Sequence, residues 1–244
     1  MRKKPHHSSI PLAMPNKVWY VAIISSLLAA SCISIALLKD LGPSKSFAWH
    51  PILMSLAFVV FMTNGLNQYW GGKLLGEERG SSRKKHAMLQ MTAAAFAIGG
   101  WVAIFIAHNV PGKNHTGAGA SAVKKIHVWL GYLVLLLVSF QSFVGISKYM
   151  SLPKKCMKFH GDLGTPIWIL GCFNVFLGLC FWSSPSYANK EGTSNGVQII
   201  AVISLFTTVS MTLLLRTLSK SEEDVGVKSG EYEQISAAEA GHYN

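Results

Sequence analysis

Trp49-His-Pro-Ile-Leu-Met-Ser-Leu-Ala-Phe-Val-Val-Phe-Met-Thr-Asn-Gly-Leu-Asn-Gln-Tyr-Trp70 runs without a lysine, arginine, aspartate or glutamate. As a helix it rises ~33 Å at 1.5 Å per residue, enough to cross the ~30 Å hydrocarbon of a bilayer. A tryptophan closes each end, where the membrane–water interface favours amphipathic rings. Lipid cannot satisfy free backbone N–H and C=O groups, so a run of this kind is a helix and not an open strand. One histidine stands just inside its start.

Five further runs share the pattern: Val18–Leu38, Ala87–Ala107, Ile126–Ile146, Phe159–Trp182 and Val197–Leu215. None has lysine or arginine in its interior. Half of the 244 residues are apolar and 14% are charged. The chain therefore reads as an all-α integral membrane protein of six spans, residues 17–218, between an N-terminal tail (1–16) and a polar C-terminal tail (219–244) expected to be flexible. The first run is long and lacks a small-residue cleavage site, so it reads as a retained span. With the N-terminus in the cytosol, sixteen lysines and arginines fall on cytosolic segments and six on the opposite ones, which puts both termini in the cytosol. The net charge of +11 is accounted for by these flanking residues, which set topology and meet anionic headgroups; no nucleic-acid partner is implied. Cys32, Cys156, Cys172 and Cys180 offer neither a paired loop position nor metal-ligand spacing.

His50, His86, His127 and His160 each stand at the start of one of the second to fifth spans. Consecutive spans alternate direction, so His50 and His127 share one face of the membrane and His86 and His160 the other. Histidine inside a span is costly and usually faces the bundle interior. In an up-down bundle the second and fourth spans can lie diagonally across the core, as can the third and fifth. Each pair can then clamp one planar macrocycle from both sides, giving a central four-helix bundle with two haems on the order of 20 Å apart. Zinc fits less well, because its structural sites gather four ligands at one point. Two imidazoles complete the axial set of haem iron and favour electron transfer over oxygen binding. Gly99, Gly100, Gly131, Gly145, Gly164, Gly171 and Gly178 give room for such rings, or simply for close helix packing.

Phe47-Ala-Trp-His-Pro-Ile-Leu-Met-Ser-Leu-Ala-Phe58 resembles the start of the haem-binding core of the cytochrome b561 family, most closely its small subgroup made of the six-helix domain alone. Lys125-Ile-His-Val-Trp-Leu-Gly131 and Lys158-Phe-His160 resemble its later histidine motifs, and His86 follows a basic cluster as the family's does. The resemblance covers about residues 17–218. It implies two b haems, held by His50/His127 on the non-cytosolic side and His86/His160 on the cytosolic side. It also implies a transmembrane oxidoreductase that takes electrons from cytosolic ascorbate and reduces ferric iron, as a chelate, or monodehydroascorbate. The segment from His108 to His127 departs from the subgroup, being longer and Gly/Ala-rich, with an additional His115 in a polar loop.

Charge suggests where the substrates sit. Arg83, Lys84 and Lys85 precede His86, and Lys154, Lys155 and Lys158 precede His160, a pairing suited to anionic ascorbate. His108 and Asn109 close the third span beside the non-cytosolic pair; the family has a histidine here that is thought to line the acceptor pocket. Asp162, in the first turn of the fifth span, is explained by the helix dipole and nearby lysines. Asn114-His115-Thr116 is a glycosylation acceptor pattern at Asn114. Tyr232-Glu-Gln-Ile235 has the form of a tyrosine-based sorting signal, Tyr232 and Ile235 being the residues read, which favours an endomembrane over the plasma membrane. The expected partners are ascorbate, the ferric or monodehydroascorbate acceptor, the lipid bilayer and a second copy of the chain in a homodimer. The competing reading is a non-redox transporter of metal ions or protons with histidines at its entrances, which calls for midplane charge or broken helices; only Pro166 was available to break a span. A scaffold would need no paired histidines.

Overall fold

The computed structural model describes residues 13–109, 115–150, 159–182 and 195–241. Every described regular element is helical. Helix α1 spans Ala13–Leu41. The second span is one continuous rod in three parts: α2 (Ser46–Ser55), a π-helical stretch (Leu56–Met62) and α3 (Thr63–Leu74). Helices α4 (Arg79–His108), α5 (Ala122–Tyr149), α6 (Phe159–Trp182) and α7 (Asn195–Gly241) follow. Six of these helical rods are long and apolar enough to cross a membrane. They contain all six runs read from the sequence.

The second to fifth spans pack together, α4 along the whole second span and α5 against both α4 and α6. Helices α1 and α7 pair with each other and flank the second span from outside. The central core joins Phe58, Val59 and Met62 to Ala93, Ala97, Val134, Val138, Trp168 and Cys172. The outward faces are apolar too: Ile35, Leu136 and Phe143 are 67%, 68% and 69% exposed. Exposed aliphatic and aromatic side chains in such numbers are what a lipid-facing surface requires. Buried polar residues sit between helices instead, as where Thr208 donates to Ser25 Oγ at 2.9 Å between α7 and α1.

Three features differ from expectation. Pro51 lies within α2, because that helix starts at Ser46 and not at Trp49, so Pro166 of α6 is not the sole interior proline. Helix α4 begins at Arg79, so Arg83, Lys84 and Lys85 stand on a helical extension of the span. The segment from Ser219, expected to be flexible, continues α7 as helix to Gly241. A helix already nucleated in the membrane extends without a new nucleation cost, and Lys220, Glu222, Glu223 and Ala237–Ala240 are mostly strong helix formers.

Candidate functional site

The four histidines meet in twos. The His50 and His127 ring centroids are 6.2 Å apart with planes at 89°. Those of His86 and His160 are 6.5 Å apart at 86°. Imidazole nitrogen binds a transition metal at ~2.0–2.1 Å and lies ~1.1 Å from its ring centre, so rings trans to each other across one ion have centres ~6.4 Å apart. Both pairs match that separation. Among the described residues no three His, Cys, Asp or Glu side chains form a group that could hold a metal ion, so each pair stands there as two ligands and not as part of a larger cluster.

Backbone carbonyls fix which nitrogen faces the partner. His50 Nδ1 donates to Gly100 O at 2.9 Å, His86 Nδ1 to Gly65 O at 2.8 Å and His127 Nδ1 to Asn174 O at 3.0 Å. A carbonyl only accepts, so each Nδ1 carries the proton and leaves the Nε2 lone pair for a metal. His160 Nδ1 is buried with no partner among the described residues.

The helices supply these contacts reciprocally. On α4 His86 and Gly100 are 14 residues apart and on the second span His50 and Gly65 are 15 apart; each glycine carbonyl serves the other rod's histidine. On α5 His127 and Gly145 are 18 apart, as are His160 and Gly178 on α6. Eighteen residues make five full turns at 3.6 per turn, which returns the glycine to the histidine's face. A Cβ on Gly145 would lie 3.1 Å from His160 Cε1, and one on Gly178 would lie 3.4 Å from His127 Cε1. Gly171 serves packing instead, since a Cβ there would strike the Phe58 ring at 2.2 Å, and Gly164 faces open space.

A cavity of about 470 Å³ opens beside His50 and His127, lined by Met54, Phe58, Trp101, Val134 and Leu135 among others. Its volume and largely apolar wall suit a bound small molecule. At the other end, Asn67, Gln141 and Thr165 are buried with side-chain polar atoms lacking a partner among the described residues. They stand on α3, α5 and α6, the same ends of these helices as the His86/His160 pair. Histidines paired at metal-spanning distance, glycine clearance and an apolar cavity fit a macrocycle with two axial imidazoles at the His50 end. At the His86 end, ring spacing, the Gly145 gap and unpartnered polar groups fit one as well.

Of the basic residues singled out, Arg83 and Lys84 are exposed at the start of α4, whereas Lys85 is held by Glu77. Glu77 also accepts from Ser81 Oγ at 2.8 Å and Ser82 Oγ at 3.1 Å. Above all the Lys85 ammonium, and then these hydroxyls, pull its carboxyl down to about 2. Lys148, in the last turn of α5, lies near both His86 and His160. At the far end, His108 and His115 both line the cavity, with Lys39 and Lys124; Asn109 is exposed at the end of α4. Lys154, Lys155, Lys158, Asn114 and the side chains of Tyr232 and Ile235 lie outside the described residues.

A sequence model of eukaryotic cytochrome b561 matches residues 49–183, more than half of the chain. The chain belongs to the cytochrome b561 family. Membership implies b-type haem. The matched region holds all four paired histidines. Among curated relatives, a lysosomal membrane ascorbate-dependent ferrireductase of Danio rerio is 28% identical over 109 residues, 45% of this chain and 41% of the relative. A plasma membrane ascorbate-dependent reductase of Xenopus tropicalis is 30% identical over 115 residues, 45% of this chain and 36% of the relative. A transmembrane reductase of Homo sapiens is 29% identical over 163 residues, 63% of this chain and 70% of the relative. The chain thus spans well under half the length of the first two. No solved structure matches it.

Proposed function

We propose that this protein carries electrons across a membrane from cytosolic ascorbate to a ferric chelate or monodehydroascorbate on the other side. Two haem b groups would be held, one by His50 and His127, the other by His86 and His160. The observation that carries this reading is the trans spacing of both imidazole pairs, 6.2 and 6.5 Å. Relatives named as ascorbate-dependent reductases support it. When bound, each haem would supply a reversible one-electron iron centre, with an imidazole pair as its protein ligands.

The chain's own residues provide the rest. Nδ1–H bonds to backbone carbonyls keep His50, His86 and His127 in the ligating tautomer. Arg83, Lys84 and Lys148, with Lys154, Lys155 and Lys158 of the next segment, give the donor mouth the positive field that draws ascorbate monoanion. There ascorbate loses one electron and one proton to become monodehydroascorbate. At the other mouth, beside His108 and Asn109, Fe³⁺ takes one electron to become Fe²⁺. The lysine and arginine distribution supports cytosolic N- and C-termini, and the Tyr232–Ile235 tetrapeptide supports an endomembrane address. The transport reading gains nothing from the π-helical stretch, whose Phe58 carbonyl is capped by Thr63 Oγ1 at 3.0 Å and Trp168 Nε1 at 3.2 Å.

Purified protein should be red, with a reduced-minus-oxidised b-type spectrum and two haems per chain. Replacing His86 or His160 with alanine should remove the fast ascorbate-reducible signal; replacing His50 or His127 should spare it and abolish acceptor reduction. A folded but colourless preparation would sink the proposal.

A further inference from the structure

His115 lines the cavity beside His50 and His127. Its ring stacks on Phe105, centroids 4.6 Å apart with planes 16° from parallel. Its chain is tethered from α5, where Tyr132 Oη donates to His115 O at 3.1 Å. The left-handed turn at Gly117 (φ +71°) follows, a conformation that glycine adopts without strain. So held, the His115 ring lies 5.8 Å from that of His108, with planes at 55°. By the bond lengths used above, two imidazoles on one ion have ring centres ~5.2 Å apart at a tetrahedral angle and ~6.4 Å apart when trans. The spacing of 5.8 Å falls between them. It is wider than a tetrahedral pair and narrower than the two axial pairs, so the two rings are close enough to share one ion.

We propose that His108 and His115 form a transition-metal site at this mouth, which takes the metal of an incoming chelate directly onto imidazole nitrogen. Imidazole suits Fe, Cu, Ni and Zn ions. Two protein ligands make a landing site and not a resident one, because the other positions stay with the chelator or water. Lys39 and Lys124 line the same cavity. Their charge adds attraction for a metal that arrives wrapped in carboxylates. The pair therefore selects metal chelates over monodehydroascorbate at the acceptor mouth. This deepens the functional reading above and rests on it for its consequence, though not for the binding itself.

Zn²⁺ alone is the probe, since it is redox-inert and prefers imidazole. Oxidised, haem-loaded full-length protein is titrated with Zn²⁺ by calorimetry, alongside His108→Ala, His115→Ala and a His6→Ala/His7→Ala double variant. The last removes the other adjacent histidines able to hold zinc. The expected result is one site, weakened on the order of tenfold or more in each single variant and kept in the double one. The haem content of His115→Ala should equal that of the unaltered protein, which separates lost metal binding from lost folding. Zinc binding that responds to His108 alone, or to neither residue, overturns the inference. A colourless but folded protein overturns the haem assignment instead, while the zinc titration still decides the metal site.

Discussion

At Gly145 a methyl group would lie 3.1 Å from His160 Cε1, and at Gly178 another would lie 3.4 Å from His127 Cε1. The first is too close unless the imidazole moves; the second is ordinary contact. Gly145→Ala should therefore displace His160 and lower haem content by up to one group per chain, whereas Gly178→Ala should keep both; haem assay per protein checks this. Equal losses would show that the glycines serve helix packing only. The pairing of the histidines was legible because direction alternates from span to span, which sorts four entrances onto two faces without any knowledge of contacts. The glycine roles were only half legible: five full turns relate His127 to Gly145 and His160 to Gly178, but close packing predicts glycines equally well. The places of His115 and Lys148 beside the site were not legible for one reason. Both reach the site through the path of the chain outside a span's interior, and periodicity carries no record of that path.

The second span carries one residue more between His50 and Gly65 than α4 carries between His86 and Gly100. Its π-helical stretch, Leu56–Met62, absorbs that residue, as a π-bulge inserts one residue into a helix and often marks a functional site. Register is thereby kept and Gly65 still faces His86. The wide turn exposes the Phe58 carbonyl, which takes bonds from Thr63 and Trp168, and Trp168 Nε1 also donates to Thr63 Oγ1 at 2.9 Å. Nothing in the run Leu-Ala-Phe-Val-Val-Phe-Met, apolar throughout, distinguishes π from α. Deleting Val60 should let this stretch close to a regular helix with both haems retained. Deleting Ala93 from the corresponding part of α4 should rotate His86 by ~100° against Gly100 and remove haem; absorbance of the two purified variants decides. Trp168→Phe should cost about 1–3 kcal/mol of stability by leaving Thr63 and Phe58 short of a buried donor, read as a lower melting temperature with haem retained. The α3–α4 turn behaves differently. Glu77, pulled down to about 2 by Lys85, stabilises the fold where it is ionised. That contribution is complete above its unfolded value of 4.5 and disappears as pH falls through about 2. Glu77→Gln should thus lower the melting temperature at pH 7 and flatten the dependence between pH 5 and 2. An unchanged slope in that window would remove Glu77 from the account.

Across the whole molecule the proposed electron path would run between imidazole pairs set ~21 Å apart along α4, from His86 to Gly100 at 1.5 Å per residue. Between the two pairs the described parts of the four central spans contain no Glu, Lys or Arg, and their one Asp, Asp162, is exposed in the first turn of α6, two residues past His160. Near the middle of that stretch the buried Thr63 hydroxyl and Trp168 indole are tied into fixed bonds. On the proposed function, an electron that crosses meets no continuous chain of carboxylates or amines among the described residues along which a proton could follow it. If, as proposed, donor oxidation releases its proton on one face and the acceptor is reduced on the other, each turnover moves one net charge through a low-dielectric slab. Moving an elementary charge against 100 mV costs about 2.3 kcal/mol. In sealed vesicles loaded with ascorbate and given an external ferric chelate, reduction should begin quickly and then slow as potential builds. A proton ionophore should restore the initial rate, and leaky vesicles should show no slow phase. If the sealed vesicles hold their first rate without ionophore, a compensating ion must cross with the electron, and the uncharged midplane would have to be reread as a path for it.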